Sequence, residues 1–302
     1  MSGSDSLVLQ VQELFARQEK VWPQLRAGIE GLAAAKTRTV RIDWFEVVVR
    51  HIPHRMTSTT AAVDADSVAR RPCFLCARNL PAEEEGLRFD DDYTIYCNPF
   101  PIVTHHLTIA HREHRPQRIA GSIGTMLDLA AALPGYFIIY NGPECGASAP
   151  DHMHFQAGSR ELFPIEKDSQ SSAMNVPGYK RHVLIFRGSE RSSLAERIDR
   201  AIEVLADKTR RPGEPMVNLA VFRKGQEWTA YLFPRGKHRP EVFYTGELTV
   251  SPASIDLCGV FVVPSLSDFE RIDGAAIAQI FREIALPDDL FEQVVGTLED
   301  AR

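Results

Sequence analysis

Asn141-Gly-Pro-Glu-Cys-Gly-Ala-Ser-Ala-Pro-Asp-His-Met-His-Phe-Gln156 is a Gly- and Ser-containing loop that runs straight into an alternating His-x-His-x-Gln. In an extended strand, residues two apart point to the same side. His152, His154 and Gln156 therefore line one face, and the small residues Gly146, Ala147 and Ser148 beside them give a ligand close access to the backbone. An isolated His-x-His reads as a strand surface with two incidental imidazoles; the adjoining loop and Gln156 reverse that reading. Neutral imidazole is a competent nucleophile near pH 7. Its attack on phosphorus splits one displacement into two through a covalent intermediate. The stretch thus points to phosphate chemistry with His154 as nucleophile. Ser148 and the loop N–H groups would hold phosphate oxygens. Asn141 either caps the preceding strand or touches the ligand.

Working outward, Gly135 to Tyr140 is an apolar strand that delivers the loop, and Tyr93–Cys97 and His106–Ala110 read as strands turned by Asn98-Pro-Phe-Pro101. Leu7 to Lys36 carries helical spacing with a break at Pro23, Thr39–Arg50 reads as one strand, and Ile119–Leu133 as a helix. Ser159–Tyr179 is polar and aperiodic and reads as a loop over the site. In the second half, His182–Phe186 reads as a strand, Ser193–Lys208 as a helix, and Val217–Phe222 with Glu227–Phe233 as a hairpin. Cys258–Val263 is a further strand, and Asp268–Ile284 is helical. Trp44 and Trp228 sit in strand-like runs suited to core packing. His106-Leu-Thr-Ile-Ala-His-Arg-Glu-His-Arg-Pro116 is echoed by Ala230-Tyr-Leu-Phe-Pro-Arg-Gly-Lys-His-Arg-Pro240, the kind of echo a duplicated half-unit leaves.

Cys73-x-x-Cys76 has three readings: half of a zinc site, a redox pair, or two buried thiols. A second CxxC is missing, so a zinc site would need two histidines, and His114 and His152 are the candidates. A polyphosphate also needs basic groups. Arg235, Lys237, His238 and Arg239 form one cluster, and Arg112, Arg115 and Arg118 another.

The 302 residues are 44% hydrophobic and 25% charged, enough for a sizeable core. A net charge of −6 argues against nucleic acid or an anionic membrane as partner. No apolar run is long enough to span a bilayer, and the N-terminus lacks a signal-peptide pattern, so the expected location is cytoplasmic. Five cysteines do not make a disulfide framework.

Gly146-Ala-Ser148, Pro150 and His152-x-His154-x-Gln156 resemble the active-site signature of the galactose-1-phosphate uridylyltransferase branch of the histidine-triad superfamily. That branch includes diadenosine tetraphosphate phosphorylases and GDP-L-galactose phosphorylase. Asn98-Pro-Phe-Pro-Ile-Val with His106-Leu-Thr-Ile resembles the strand pair before the triad. The resemblance covers residues 70–160 and, more weakly, 215–265. The sequence departs from the pattern in placing Asp151 between Pro150 and His152, which would bulge the loop.

The resemblance implies an α+β, histidine-triad-like fold. Two half-units, each with an antiparallel sheet and flanking helices, would span 38–180 (catalytic) and 181–302 (degenerate), after a helical extension over 1–37. It implies a nucleotidyltransferase or phosphorylase acting on a nucleotide polyphosphate or nucleoside diphosphate sugar, with phosphate or a sugar phosphate as acceptor. The alternatives are a hydrolase of the same superfamily and a noncatalytic nucleotide- or zinc-binding module. His154 matches the nucleotidylated histidine, Gln156 the glutamine on the transferred phosphoryl group, and Ser148 a phosphate-contacting serine. Asn141, Gly146, Ala147, Arg235 and Lys237 are the candidate substrate contacts. Cys73, Cys76, His114 and His152 match four zinc-binding positions, implying structural zinc. The expected assembly is a monomer or homodimer.

Overall fold

The computed structural model describes residues 3–160, 163–169 and 174–300. Its strands are Lys36–Ile42 (β1), Phe45–His51 (β2), Gly86–Phe89 (β3), Tyr93–Cys97 (β4), Leu107–His111 (β5), Tyr136–Asn141 (β6), His154–Ser159 (β7), Leu184–Gly188 (β8), Val217–Lys224 (β9), Glu227–Pro234 (β10) and Val260–Val263 (β11). Eight of them form one antiparallel sheet in the order β3-β4-β5-β7-β6-β9-β10-β8. A smaller sheet has the order β1-β2-β11, with β11 parallel to β2. The fold is α+β, as expected. The two halves share one sheet, joined where β6 pairs with β9 from Phe137↔Phe222 to Asn141↔Asn218. The pairing of β11 with β2 also links the chain's early and late segments.

β6 explains why both faces of the large sheet are covered. All six of its residues are buried. Tyr136, Ile138 and Tyr140 face a core shared with helices Gly3–Val21, Ile123–Ala132, Arg191–Lys208 and Asp288–Glu299. Phe137 and Ile139 face a second core, built with the small sheet and helix Gly274–Ile284. A strand buried on both sides reads as a continuous apolar run, since neither face needs polar residues. Fully burying a side chain such as Phe137 contributes about 2–3 kcal/mol, and these two layers fix where β6 ends and the loop begins. Cys97 and Cys258 are buried as small hydrophobes.

Four expectations are corrected. Thr39–Arg50 is a tight hairpin, from Lys36↔His51 to Ile42↔Phe45, with Asp43 in the left-handed region at φ 52°. Trp44 sits in that turn, 49% exposed, stacked on Tyr179 at 5.5 Å; Trp228 is buried as expected. The helical run at 268–284 is two helices, Leu266–Arg271 and Gly274–Ile284. Asp273 caps the second by accepting from the Ala276 N–H at 2.8 Å. The expected loop over 159–179 contains a short helix, Pro164–Asp168; residues 161–162 and 170–173 lie outside the described residues.

Candidate active site

β7 runs between β5 and β6, so His154 and Gln156 share the face that also carries Ile139, Thr108 and Ala110. The His154 Nδ1–H donates to the carbonyl of His152 at 2.8 Å. That bond fixes the tautomer, with the proton on Nδ1 and the lone pair on Nε2. His154 is 3% exposed. Burial pulls its pKa down to about 4, against the opposing pull of the His152 carbonyl. The ring is therefore neutral at physiological pH, the form a nucleophile needs. Cys145, inside the quoted loop, is no rival: burial pushes its thiol up to about 12.

Gln156 is held by a residue the motif did not single out. The His106 Nδ1 accepts from the Ile102 N–H at 3.3 Å, so its Nε2 carries the proton and donates to Gln156 Oε1 at 2.9 Å. This turns the Gln156 NH2 outward as a free donor. His106 is fully buried, and burial drops its pKa to about 3, so the donor persists at any working pH.

Gln156 lines a small cavity together with Asn141, Gly146, Ser148, Arg55, Asn98, Ser251 and Asp256. Gly146 is irreplaceable by geometry. Its φ is +93°, and an added Cβ would lie 2.7 Å from the Cβ of Ala253. Asn141 Oδ1 accepts from Asn218 Nδ2 (2.8 Å), the Ser254 N–H (3.0 Å) and the Ser254 hydroxyl (2.7 Å). Ala147 is buried under the loop and does not line the cavity.

The cation at the cavity is Arg55, which sequence reasoning missed because it lies some 90 residues before the loop. Its Nη1 donates to the Phe100 carbonyl at 3.0 Å. Burial lowers its pKa to about 10, opposed by Asp256, so it remains charged at neutral pH. Arg235 and Lys237 are not brought to the cavity. Arg235 is buried, and all five of its N–H groups are taken: Nε by the Ile284 carbonyl, Nη1 by Asn218 Oδ1 and the Pro252 carbonyl, and Nη2 by the carbonyls of Lys237 and His238. Lys237 is at the surface, 2.7 Å from Glu283. Among the other basic cluster, Arg112 Nη1 donates to the Asp91 carbonyl at 2.8 Å and Arg115 Nη2 to the Tyr93 hydroxyl at 3.3 Å.

Cys73, Cys76, His114 and His152 do converge, with one ligand atom from each lying within 4.8 Å of all the others. Cys73 Sγ is 3.2 Å from His152 Nδ1, Cys76 Sγ is 3.3 Å from His114 Nδ1, and Cys76 Sγ is 3.7 Å from His152 Nδ1. Four ligands around a tetrahedral zinc, at about 2.0–2.3 Å each, stand about 3.3–3.8 Å apart, so the residues fit the ion. His152 is also prepared for it. Its Nε2–H donates to the His111 carbonyl at 2.6 Å, which leaves the Nδ1 lone pair facing the thiols. The extra Asp151 is absorbed by a turn closed by the His152 N–H on the Ala149 carbonyl at 3.2 Å. Its carboxylate takes Arg71 at 2.8 Å, and Arg71 also reaches the Ser148 carbonyl at 3.3 Å. The four residues can hold a metal ion and would tie the 73–76 segment to the start of β7.

Residues 14–159 match a domain of unknown function, DUF4922, and residues 156–300 match the GDPGP1-like, C-terminal domain. Among curated proteins no sequence matches the chain. Crystal structures of yeast Ap4A phosphorylase share the fold. One is 17% identical with a TM-score of 0.58, the match covering 88% of this chain and 98% of the phosphorylase. Its complex with AMP is 16% identical with a TM-score of 0.56 over 88% and 98% of the two chains. Its complex with Ap4A is 15% identical with a TM-score of 0.56 over 88% and 97%. The chain therefore shares the fold of yeast Ap4A phosphorylase, and its residues 156–300 match a GDPGP1-like C-terminal domain.

Proposed function

We propose that the chain is a nucleotide phosphorylase or related nucleotidyltransferase that works through a nucleotidyl-histidine. The observation that carries this reading is the tautomer of His154: Nδ1–H is tied to the His152 carbonyl and Nε2 is left with its lone pair. The same strand face brings the outward-turned Gln156 amide to a cavity walled by Ser148, Gly146 and Arg55. The fold shared with a phosphorylase that binds Ap4A supports a nucleotide substrate.

In the first step His154 Nε2 attacks the α-phosphorus. A P–N bond forms, the P–O bond to the leaving phosphate or sugar phosphate breaks, and its electron pair departs on oxygen. Nδ1 keeps its proton throughout, and the His152 carbonyl stabilises the positive charge that develops on the ring. Gln156 and Ser148 donate to the phosphoryl oxygens, and Arg55 offsets the negative charge on the departing group. In the second step an oxygen of phosphate attacks, the P–O bond forms and the P–N bond breaks, returning neutral His154. Zinc held by Cys73, Cys76, His114 and His152 would be structural, fixing the start of β7.

Intact-mass measurement after mixing with dinucleoside polyphosphates and nucleoside diphosphate sugars tests the reading. The expected result is an acid-labile nucleotidyl adduct, absent in His154→Ala. Labelled phosphate should exchange into a nucleotide product. Nucleotide turnover by a folded His154→Ala at the wild-type rate would refute it.

A further inference from the structure

We propose that Gln117 is a positioning residue for the nucleophile, its side-chain amide standing in for a peptide group in the β6–β7 ladder and thereby setting the place of His154. The inference rests on the reading of His154 as nucleophile, and its geometric part can be measured without a substrate.

The β6–β7 register runs Tyr136↔Ser159, Phe137↔Gly158, Ile138↔Ala157 and Ile139↔Gln156, and then stops. Continued by two residues, it would pair Asn141 with His154. In an antiparallel ladder, alternate pairs exchange backbone hydrogen bonds, and Asn141 and His154 would be the next pair to do so after Ile139 and Gln156. They do not bond each other. The Gln117 carboxamide lies between them instead. Its Nε2 donates to the Asn141 carbonyl at 2.9 Å and to the His154 carbonyl at 3.0 Å, and its Oε1 accepts from the His154 N–H at 2.7 Å. On its other side β7 remains paired to β5, with Ala110 opposite His154. The strand is thus splayed from β6 on one edge alone, at the residue that carries the nucleophile.

The wedge is rigid. Gln117 is 1% exposed, and both amide hydrogens and the amide oxygen are engaged. Its own N–H donates to the Pro150 carbonyl at 3.1 Å, and the Met153 N–H donates to the neighbouring Arg115 carbonyl at 2.7 Å. One residue therefore holds the loop before the histidines, the end of β6 and both backbone polar groups of His154. A displacement of about 1 Å at a reacting group can cost about 100-fold in rate, and Gln117 sets that displacement. Asparagine is one methylene too short to span the gap. A glutamate carboxylate would aim oxygen at two carbonyls, whereas its protonated form again offers one donor and one acceptor.

Two variants test the assignment, Gln117→Leu and Gln117→Glu. Two quantities are read: the rate at which diethyl pyrocarbonate labels His154, followed by peptide mass, and the rate of adduct formation with dinucleoside polyphosphates and nucleoside diphosphate sugars. Gln117→Leu is expected to fold, to change the labelling rate of His154, and to lose about 100-fold in adduct rate with nucleotide affinity retained. Gln117→Glu is expected to be equally slow at pH 8 and to recover as the pH falls towards 5, where wild type does not speed up. A folded Gln117→Leu with wild-type labelling and adduct rates would overturn the proposal. If the leucine variant fails to fold, the glutamate series decides, and a folded Gln117→Glu with no recovery on acidification overturns it. Should wild type form no adduct with any nucleotide, the functional reading fails, while the labelling comparison still reports whether Gln117 places the ring.

Discussion

Arg235 offers the sharpest contrast between a binding role and a structural one. Truncation to alanine removes a guanidinium whose five N–H groups serve Asn218 Oδ1 and four backbone carbonyls. Two of these acceptors, the carbonyls of Lys237 and His238, sit in partly buried bonds that water can replace. Asn218 Oδ1 and the Pro252 carbonyl are in buried bonds and would lose their donor, whereas the Ile284 carbonyl keeps the Gly236 N–H at 2.9 Å. At about 1–2 kcal/mol for each of the two buried orphans, the loss is about 2–4 kcal/mol. For a chain of this size that lowers Tm by roughly 2 °C per kcal/mol, about 4–8 °C in all. Thermal unfolding followed by circular dichroism measures it. Lys237→Ala is the control, expected to leave Tm unchanged because Lys237 is exposed and Glu283 keeps the Glu241 N–H as a donor at 3.0 Å. The reasoning is refuted if Arg235→Ala melts with wild type but binds nucleotide more weakly, the signature of a phosphate contact.

Three further outcomes follow from the geometry. The purified protein should carry about one zinc ion per chain, seen by elemental analysis, and Cys73→Ser or chelation should lower Tm; a metal-free protein with unchanged Tm would count against the site. His106→Leu should keep the fold and lower turnover by about 10- to 100-fold with little change in KM, because the Gln156 amide is no longer oriented; unchanged turnover contradicts that role. Glu214 accepts from the Tyr140 hydroxyl at 2.7 Å and the Ile119 N–H at 3.1 Å, and burial raises its pKa to about 7. Because the folded state binds this proton more tightly than the unfolded chain, the stability it contributes, at most roughly 3 kcal/mol, is complete below about pH 4.5 and is lost as pH rises through 7. Denaturation of wild type and Glu214→Gln at pH 5, 7 and 9 should show the variant with the shallower pH dependence, and parallel curves would exclude the effect.

What was legible in the sequence is what depends on local spacing. The alternation of His152, His154 and Gln156 placed the last two on one strand face because a strand has a period of two. The Cys73-x-x-Cys76 pair needed two more ligands, and the fold delivers His114 and His152 to it. The β1–β2 hairpin was hidden because both strands are made of β-formers and the turn uses Asp43 in the left-handed region in place of glycine. Arg55, His106 and Gln117 were invisible for a different reason. Each acts through a tertiary contact with no sequence period, and His106 read simply as the first residue of a strand. Arg235 misled because a basic cluster in the sequence says nothing of burial: the same guanidinium that could clamp a phosphate can equally well cap five acceptors inside the protein.

The shared sheet gives the second half a physical part in the site even without a histidine set of its own. Asn141 ends β6 beside Asn218 of β9, and among the described residues its Oδ1 takes donors from Asn218 and Ser254, both from the later part of the chain. With that oxygen engaged, the Asn141 NH2 is the group left to meet a ligand in the cavity it lines. Asn218 is in turn held by Arg235 at 2.6 Å, so the guanidinium fixes an amide that fixes a second amide at the cavity wall. A phosphate pocket needs donors whose directions do not relax when charge moves. Under the proposed mechanism the first half supplies the reacting imidazole, and the second supplies the fixed scaffold that keeps the neighbouring donor aimed.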